Sequence, residues 1–156
     1  MLKYDIPGLG EINIENIVFD YNGTIAEDGE LIEGVGELLL ELKNYCNVYI
    51  LTADTYGTVR EKCRQLGIVV KTFPVEKASD YKKEMVINLG AEKTICIGNG
   101  FNDIEMFKTA RLSIAVISRE GCSGKLLAHA DVVVHSIKDA VDILLNANRL
   151  KATLRE

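Results

Sequence analysis

Six short apolar bursts, near residues 17–20, 48–52, 68–72, 93–97, 112–116 and 131–134, alternate along this chain with segments of helical period. Bursts apolar at nearly every position fit strands buried on both faces, and their alternation with amphipathic helices predicts a parallel sheet covered on both sides, an α/β fold. Val35, Leu38, Leu39 and Leu42 share one helical face, as do Ile137, Ala140, Val141, Leu144 and Leu145. About five to six helices then fill the chain. Ahead of the alternation, residues 3–14 switch between apolar and polar around Pro7-Gly8, which predicts a short hairpin. With no linker or repeat in 156 residues, a single domain is expected: a hairpin over 1–15, a core over 16–146 and a C-terminal tail over 147–156.

Composition narrows the partners. Charged residues make up 26% of the chain and the net charge is -5, with no long basic run to displace counterions, so nucleic acid is not expected. The apolar bursts fall far short of the roughly 20 residues that span a bilayer. The opening residues carry no signal-peptide core, so no membrane partner and a cytoplasmic location are expected. Cys46, Cys63, Cys96 and Cys122 lack CxxC spacing and are read as free thiols in a reducing compartment. His129 and His135 flank the last burst and are read as surface or structural residues.

In an open parallel sheet the loops at the carboxyl ends of the strands converge, and ligands bind there. Asp20 closes the first core burst, Thr52 the second, and Gly98-Asn99-Gly100-Phe101-Asn102-Asp103 follows the fourth. Any one of these could merely cap a turn. Together they put a carboxylate, a hydroxyl and a polar Gly-rich loop at one edge. Gly23 allows a sharp turn after Asp20, and Thr24 brings a hydroxyl and an amide suited to an oxyanion.

FDYNGT at 19–24, ILTADT at 50–55 and GNGFNDIEMF at 98–107 resemble, in order and spacing, the first, second and fourth motifs of the haloacid dehalogenase superfamily. The likeness runs from about residue 16 to 146. It implies a three-layer Rossmann-like parallel sheet and a phosphatase in which Asp20 attacks phosphorus to form an aspartyl-phosphate. Thr52, Ala53, Gly23 and Thr24 would hold the phosphoryl oxygens, and Mg²⁺ would be bound by Asp20, the backbone carbonyl of Asn22, Asn99 and Asp103. Asp54 and Asn102 would orient their neighbours. The third motif is a lysine; Lys77, Lys82 and Lys83 compete for it, and the register of P-type ATPases selects Lys82, with Ser79 or Asp80 capping its helix and Lys82 in the first turn.

Within that superfamily the wording is nearest to the phosphorylation domain of P-type ATPases, whose Asp-Lys-Thr-Gly-Thr matches Asp20-Tyr21-Asn22-Gly23-Thr24 at Asp, Gly and Thr. Asp20 and Thr52 stand too close for an inserted nucleotide-binding domain or a cap. The resemblance therefore implies an open site, argues against ATP as substrate, and points to a small phosphorylated substrate or a phosphoprotein. An oligomer built through the 3–14 hairpin would supply a lid.

Two residues depart from the phosphatase pattern. Asn22 stands where a second Asp serves as general acid, and such catalysis typically contributes about 10²–10⁴-fold. Asn99 replaces a carboxylate ligand of Mg²⁺ and lowers the charge of that site. Slow turnover is expected, and restoring both carboxylates is expected to raise it. A regulatory or binding module that keeps the fold without turnover is the competing reading. A receiver domain is disfavoured, because its first strand would end in an acidic pair.

Overall fold

A computed structural model describes residues 1–53 and 58–156. The chain opens on an antiparallel hairpin, β1 (Leu2–Ile6) and β2 (Gly10–Ile14), in register from Leu2 opposite Ile14 to Ile6 opposite Gly10. Strand β3 (Asn16–Asp20) follows at once, and a small hairpin, β4 (Ala26–Glu27) and β5 (Glu30–Leu31), comes next. Its turn is Asp28-Gly29, both at positive φ (49° and 80°), the dipeptide that favours a tight hairpin turn. This hairpin was not foreseen, although Asp-Gly between two short polar-apolar pairs is its signal.

Helix α1 (Val35–Lys43) leads to β6 (Asn47–Thr52), α2 (Thr58–Gln65) to β7 (Val69–Thr72), and α3 (Ala78–Leu89) to β8 (Thr94–Gly98). Then come α4 (Ile104–Thr109), β9 (Leu112–Val116), α5 (Gly124–Leu127), β10 (Val132–Val134), α6 (Ile137–Leu145) and α7 (Ala147–Leu154). Strand β3 and the five strands from β6 onward form one parallel sheet in the order β10-β9-β8-β3-β6-β7. Each lies within a residue of an apolar burst.

Strands β3, β8 and β9 are buried at every position, as runs without alternation require. Period 2 then sorts their side chains between two cores. Ile17, Phe19, Ile50, Ile95, Ile97 and Ile114 face the buried residues of α1 and α6, while Val18, Leu51, Cys96 and Ala115 face Phe73, Val86, Met106 and Phe107. Helix α6 starts where Ser136 Oγ accepts a hydrogen bond from the Asp139 amide at 3.1 Å.

The segment read as a tail forms α7 instead, with Leu150 buried and the helix packed along β1. The hairpin turns Leu2, Tyr4, Ile6, Ile12 and Ile14 into the core, and the Tyr4 hydroxyl donates to the Leu144 carbonyl at 2.7 Å. Its apolar face is thus covered by the chain's own helices, leaving Lys3, Asp5, Glu11 and Asn13 outward. Among the described residues no helix is long and apolar enough to cross a membrane.

The start of α3 differs from expectation. Pro74 sits extended (φ -65°, ψ 136°) and opens a 3₁₀ turn over Val75–Lys77, so the helix begins at Ala78 without a side-chain cap. Ser79 and Asp80 lie inside the first turn, and Lys82 comes one turn later than predicted.

Candidate active site

Parallel pairing aligns the carboxyl ends of the three central strands: Asp20 lies opposite Leu51, and Phe19 opposite Ile97. Asp20, Thr52 and the loop after β8 therefore meet over one cleft of about 220 Å³, lined by Asp20, Asn22, Thr52, Ala53, Lys82 and Asn99 together with Phe73, Gly100 and Asn102. Asp54 lies outside the described residues.

Lys82 is the best-defined group in the cleft. Its side chain is 1% exposed, and Nζ donates to Asp20 Oδ1 at 2.6 Å, Asp103 Oδ1 at 2.6 Å and Asn102 Oδ1 at 3.0 Å. Three acceptors match the three hydrogens of an ammonium, which is what permits its burial. Burial opposes the charge, but Asp103 and Asp20 outweigh it and hold the Lys82 pKa above the ordinary lysine value. Lys77 and Lys83 are exposed, and Lys83 reaches only Glu105, at 3.9 Å. Of the three lysines, Lys82 is the one placed against Asp20.

Asp20 is pushed up to about 7, first by burial and then by the charge of Asp103, against the pull of Lys82 and of a hydrogen bond from the Tyr21 backbone. Asp103 is held from both sides: Oδ1 by Lys82, Oδ2 by the amides of Asn99 and Gly100 at 3.1 and 2.9 Å. This clamp needs Gly98, because a Cβ there would lie 2.6 Å from Asp103 Cγ. Gly98→Ala is expected to displace the Asp103 carboxylate and lower stability by about 1–3 kcal/mol, the usual range for overpacking. A urea titration reads this, and a midpoint equal to wild type would contradict the clamp.

Gly23 makes the sharp turn and Thr24 presents a hydroxyl, as read from the sequence, but their backbone amides are directed differently. The Gly23 amide donates to the Ala26 carbonyl at 2.9 Å and the Thr24 amide to the Tyr21 carbonyl at 3.2 Å, so both donors are used within the turn. What Thr24 offers is its hydroxyl, 3.4 Å from Asp20 Oδ2 and 3.2 Å from Asn99 Oδ1. What Gly23 offers is room: at φ +78°, a Cβ would collide with the Asn99 amide.

Asn99 is committed as an amide. Its Nδ2 donates to the Gly121 carbonyl at 3.1 Å while Oδ1 faces Thr24. A carboxylate could not donate to Gly121, which alters the expectation for Asn99→Asp. Ser118 was not foreseen; its hydroxyl donates to the Gly23 carbonyl at 2.7 Å and ties the loop after β9 to the turn after β3. It stands two residues past the β9 burst, so the strand-end rule that found Asp20 could have found it.

The oxygens present suit Mg²⁺. Thr24 has one hydroxyl proton for two acceptors, Asp20 Oδ2 and Asn99 Oδ1, so oxygens outnumber protons at this corner. Mg²⁺ takes one or two carboxylates, with water or substrate phosphate completing its shell. Among the described residues no three His, Cys, Asp or Glu side chains gather as a metal site, so a cation here would rely on neutral oxygens and water besides the carboxylates.

Comparison with known proteins agrees with this fold. A family model for haloacid dehalogenase-like hydrolases matches residues 2–111, and the chain belongs to that family. A soluble P-type ATPase-like phosphatase of Methanocaldococcus jannaschii is 28% identical over 146 residues, which is 90% of this chain and 54% of the relative. The chain thus spans about half the length of that phosphatase. Among solved structures, the cobalt-bound deoxy-D-mannose-octulosonate 8-phosphate phosphatase of Haemophilus influenzae superposes with a TM-score of 0.74 at 18% identity, covering 92% of this chain and 94% of that one. The 3-deoxy-D-manno-octulosonate 8-phosphate phosphatase of Moraxella catarrhalis, in complex with magnesium, phosphate and KDO, gives 0.65 at 19% identity, covering 91% and 94%. At these identities the two structures speak for the fold alone.

Proposed function

We propose that this chain is a Mg²⁺-dependent phosphohydrolase that works through an aspartyl-phosphate on Asp20, with a phosphomonoester of a small molecule or a protein as substrate. The observation that carries the reading is the buried contact of Lys82 Nζ with Asp20 Oδ1 at 2.6 Å, inside a cleft that also presents Thr52. With both carboxyl groups ionised, Asp20, Asp103 and Lys82 sum to one negative charge, and an arriving phosphate adds more. Asp20, the carbonyl of Asn22, Asn99 and Asp103 would hold Mg²⁺. The bound ion would supply positive charge to the transferring group.

In this reading an Asp20 oxygen attacks phosphorus as the ester P–O bond breaks, and Lys82 and the Thr52 hydroxyl steady the equatorial oxygens. The leaving oxygen draws its proton from solvent, since the Asn22 amide has none to exchange. Water then attacks the aspartyl-phosphate, releases inorganic phosphate and regenerates the Asp20 carboxylate. The free thiols of Cys46, Cys63, Cys96 and Cys122 fit a reducing compartment such as the cytoplasm.

A second reading, a binding module without turnover, is favoured by the amides at Asn22 and Asn99. Incubation with Mg²⁺ and p-nitrophenyl phosphate or acetyl phosphate decides between them. Wild type is expected to release phosphate slowly and Asp20→Asn not at all above buffer. Equal release from both proteins would remove the enzyme reading.

A further inference from the structure

A cavity of about 400 Å³, larger than the cleft around Asp20, is lined by Ser79, Phe101, Ile104, Lys108, Lys125 and His129, with Glu105 and Ala128 completing it. It adjoins the cleft. Phe101 lies between Gly100 and Asn102, which both line the cleft, and Ser79 precedes Lys82 by one turn of α3. The loop after β8 and helix α3 thus contribute neighbouring residues to both hollows.

The charges of this cavity are unequal. Glu105 is its one carboxylate among the described residues, and it is already held by Lys108 at 2.9 Å, with Lys83 at 3.9 Å. Lys125 pairs with no carboxylate among the described residues; its ammonium sits 5.6 Å from the centroid of the Phe101 ring. Phe101 itself is 62% exposed, in a loop otherwise built of Gly, Asn and Asp. An apolar platform and an uncompensated cation thus stand beside a cleft suited to one phosphate, on a chain of net charge -5 that would otherwise repel a second anion.

We infer that this cavity seats the leaving half of the substrate, and that this half is a small molecule with a planar apolar body, set against Phe101 and Ile104, and a second anionic group, carboxylate or phosphate, set against Lys125. The inference rests on the phosphohydrolase reading and deepens it by naming a substrate class. Where the site is open, as the family resemblance implies, discrimination falls to surfaces such as this one.

The test is equilibrium binding to the Asp20→Asn protein in Mg²⁺ at low salt, with phenyl phosphate and 4-carboxyphenyl phosphate as probes. The carboxylated ester is expected to bind about fivefold more tightly, the upper range for one exposed ion pair. Adding Lys125→Glu, an exposed change that leaves the fold intact, is expected to abolish or reverse that preference. Equal affinities in the Asp20→Asn protein, or a preference that survives Lys125→Glu, would overturn the inference, as would tighter binding of an acidic phosphopeptide than of the carboxylated ester. Wild-type turnover of acetyl phosphate, whose leaving group has neither a planar apolar body nor a second phosphate, and whose acetate carboxylate forms only on cleavage, judges the phosphohydrolase reading separately.

Discussion

Lys82→Met is expected to lower stability by about 3–5 kcal/mol at neutral pH, the usual effect of removing one partner from a buried ion pair. Methionine keeps most of the volume but leaves Asp20 and Asp103, both buried, facing each other without a cation. The loss is expected to depend on pH with a definite sign. Burial and Asp103 already raise Asp20 to about 7, and removing the ammonium pushes it higher. The folded variant then binds more protons than the unfolded chain, whose carboxyls titrate near ~4, so stability falls as pH rises from there through the folded value. The deficit relative to wild type is therefore smallest in acid and largest above neutrality. Urea unfolding at pH 5 and pH 8 measures this, and a variant as stable as wild type at pH 8 would mean that the two carboxylates do not depend on Lys82.

Asn22→Asp is expected to raise hydrolysis by about 10²–10⁴-fold, the range for a positioned acid-base group. Asn22 is exposed and lines the cleft two residues after Asp20, so a carboxyl fits there without disturbing the core. In its protonated form the introduced carboxyl group would give its proton to the leaving oxygen, and the resulting carboxylate would take one from the attacking water. The gain is expected to be larger with glycerol phosphate, whose alkoxide leaves poorly, than with p-nitrophenyl phosphate. Asn99→Asp carries no such promise. It adds negative charge for the cation but removes the donor to Gly121 and sets a carboxylate oxygen against that carbonyl. Steady-state rates for the two single variants and the double variant check this, with the double expected to fall below Asn22→Asp alone. No gain from Asn22→Asp on either ester would refute the role given to this position.

The strands were legible because β3, β8 and β9 carry apolar runs, broken only by Ser113 and by polar residues at the ends of β3 and β8, and burial on both faces suits such runs. Strand ends then pointed to Asp20, Thr52 and the 98–103 loop without further help. Lys82 was harder: it lies on a helix, and among three nearby lysines only the register of a known family distinguished it. The sequence did not reveal α7, because Leu150 and Leu154 are too few apolar positions to show a period, and the helix gains its stability by packing on β1. Nor did it reveal that the Gly23 and Thr24 amides turn inward, or that the Asn99 side chain bridges two loops. Those depend on which carbonyls lie nearby in three dimensions.

The bonds from Ser118 to Gly23, from Thr24 to Asn99 and from Asn99 to Gly121 join turns that follow three different strands. They cross-brace the rim of the cleft before any ligand arrives. A phosphate entering it meets turns already held in place, so little ordering entropy remains to be lost on association, and the braced turns should hold their amide protons against exchange equally with and without phosphate.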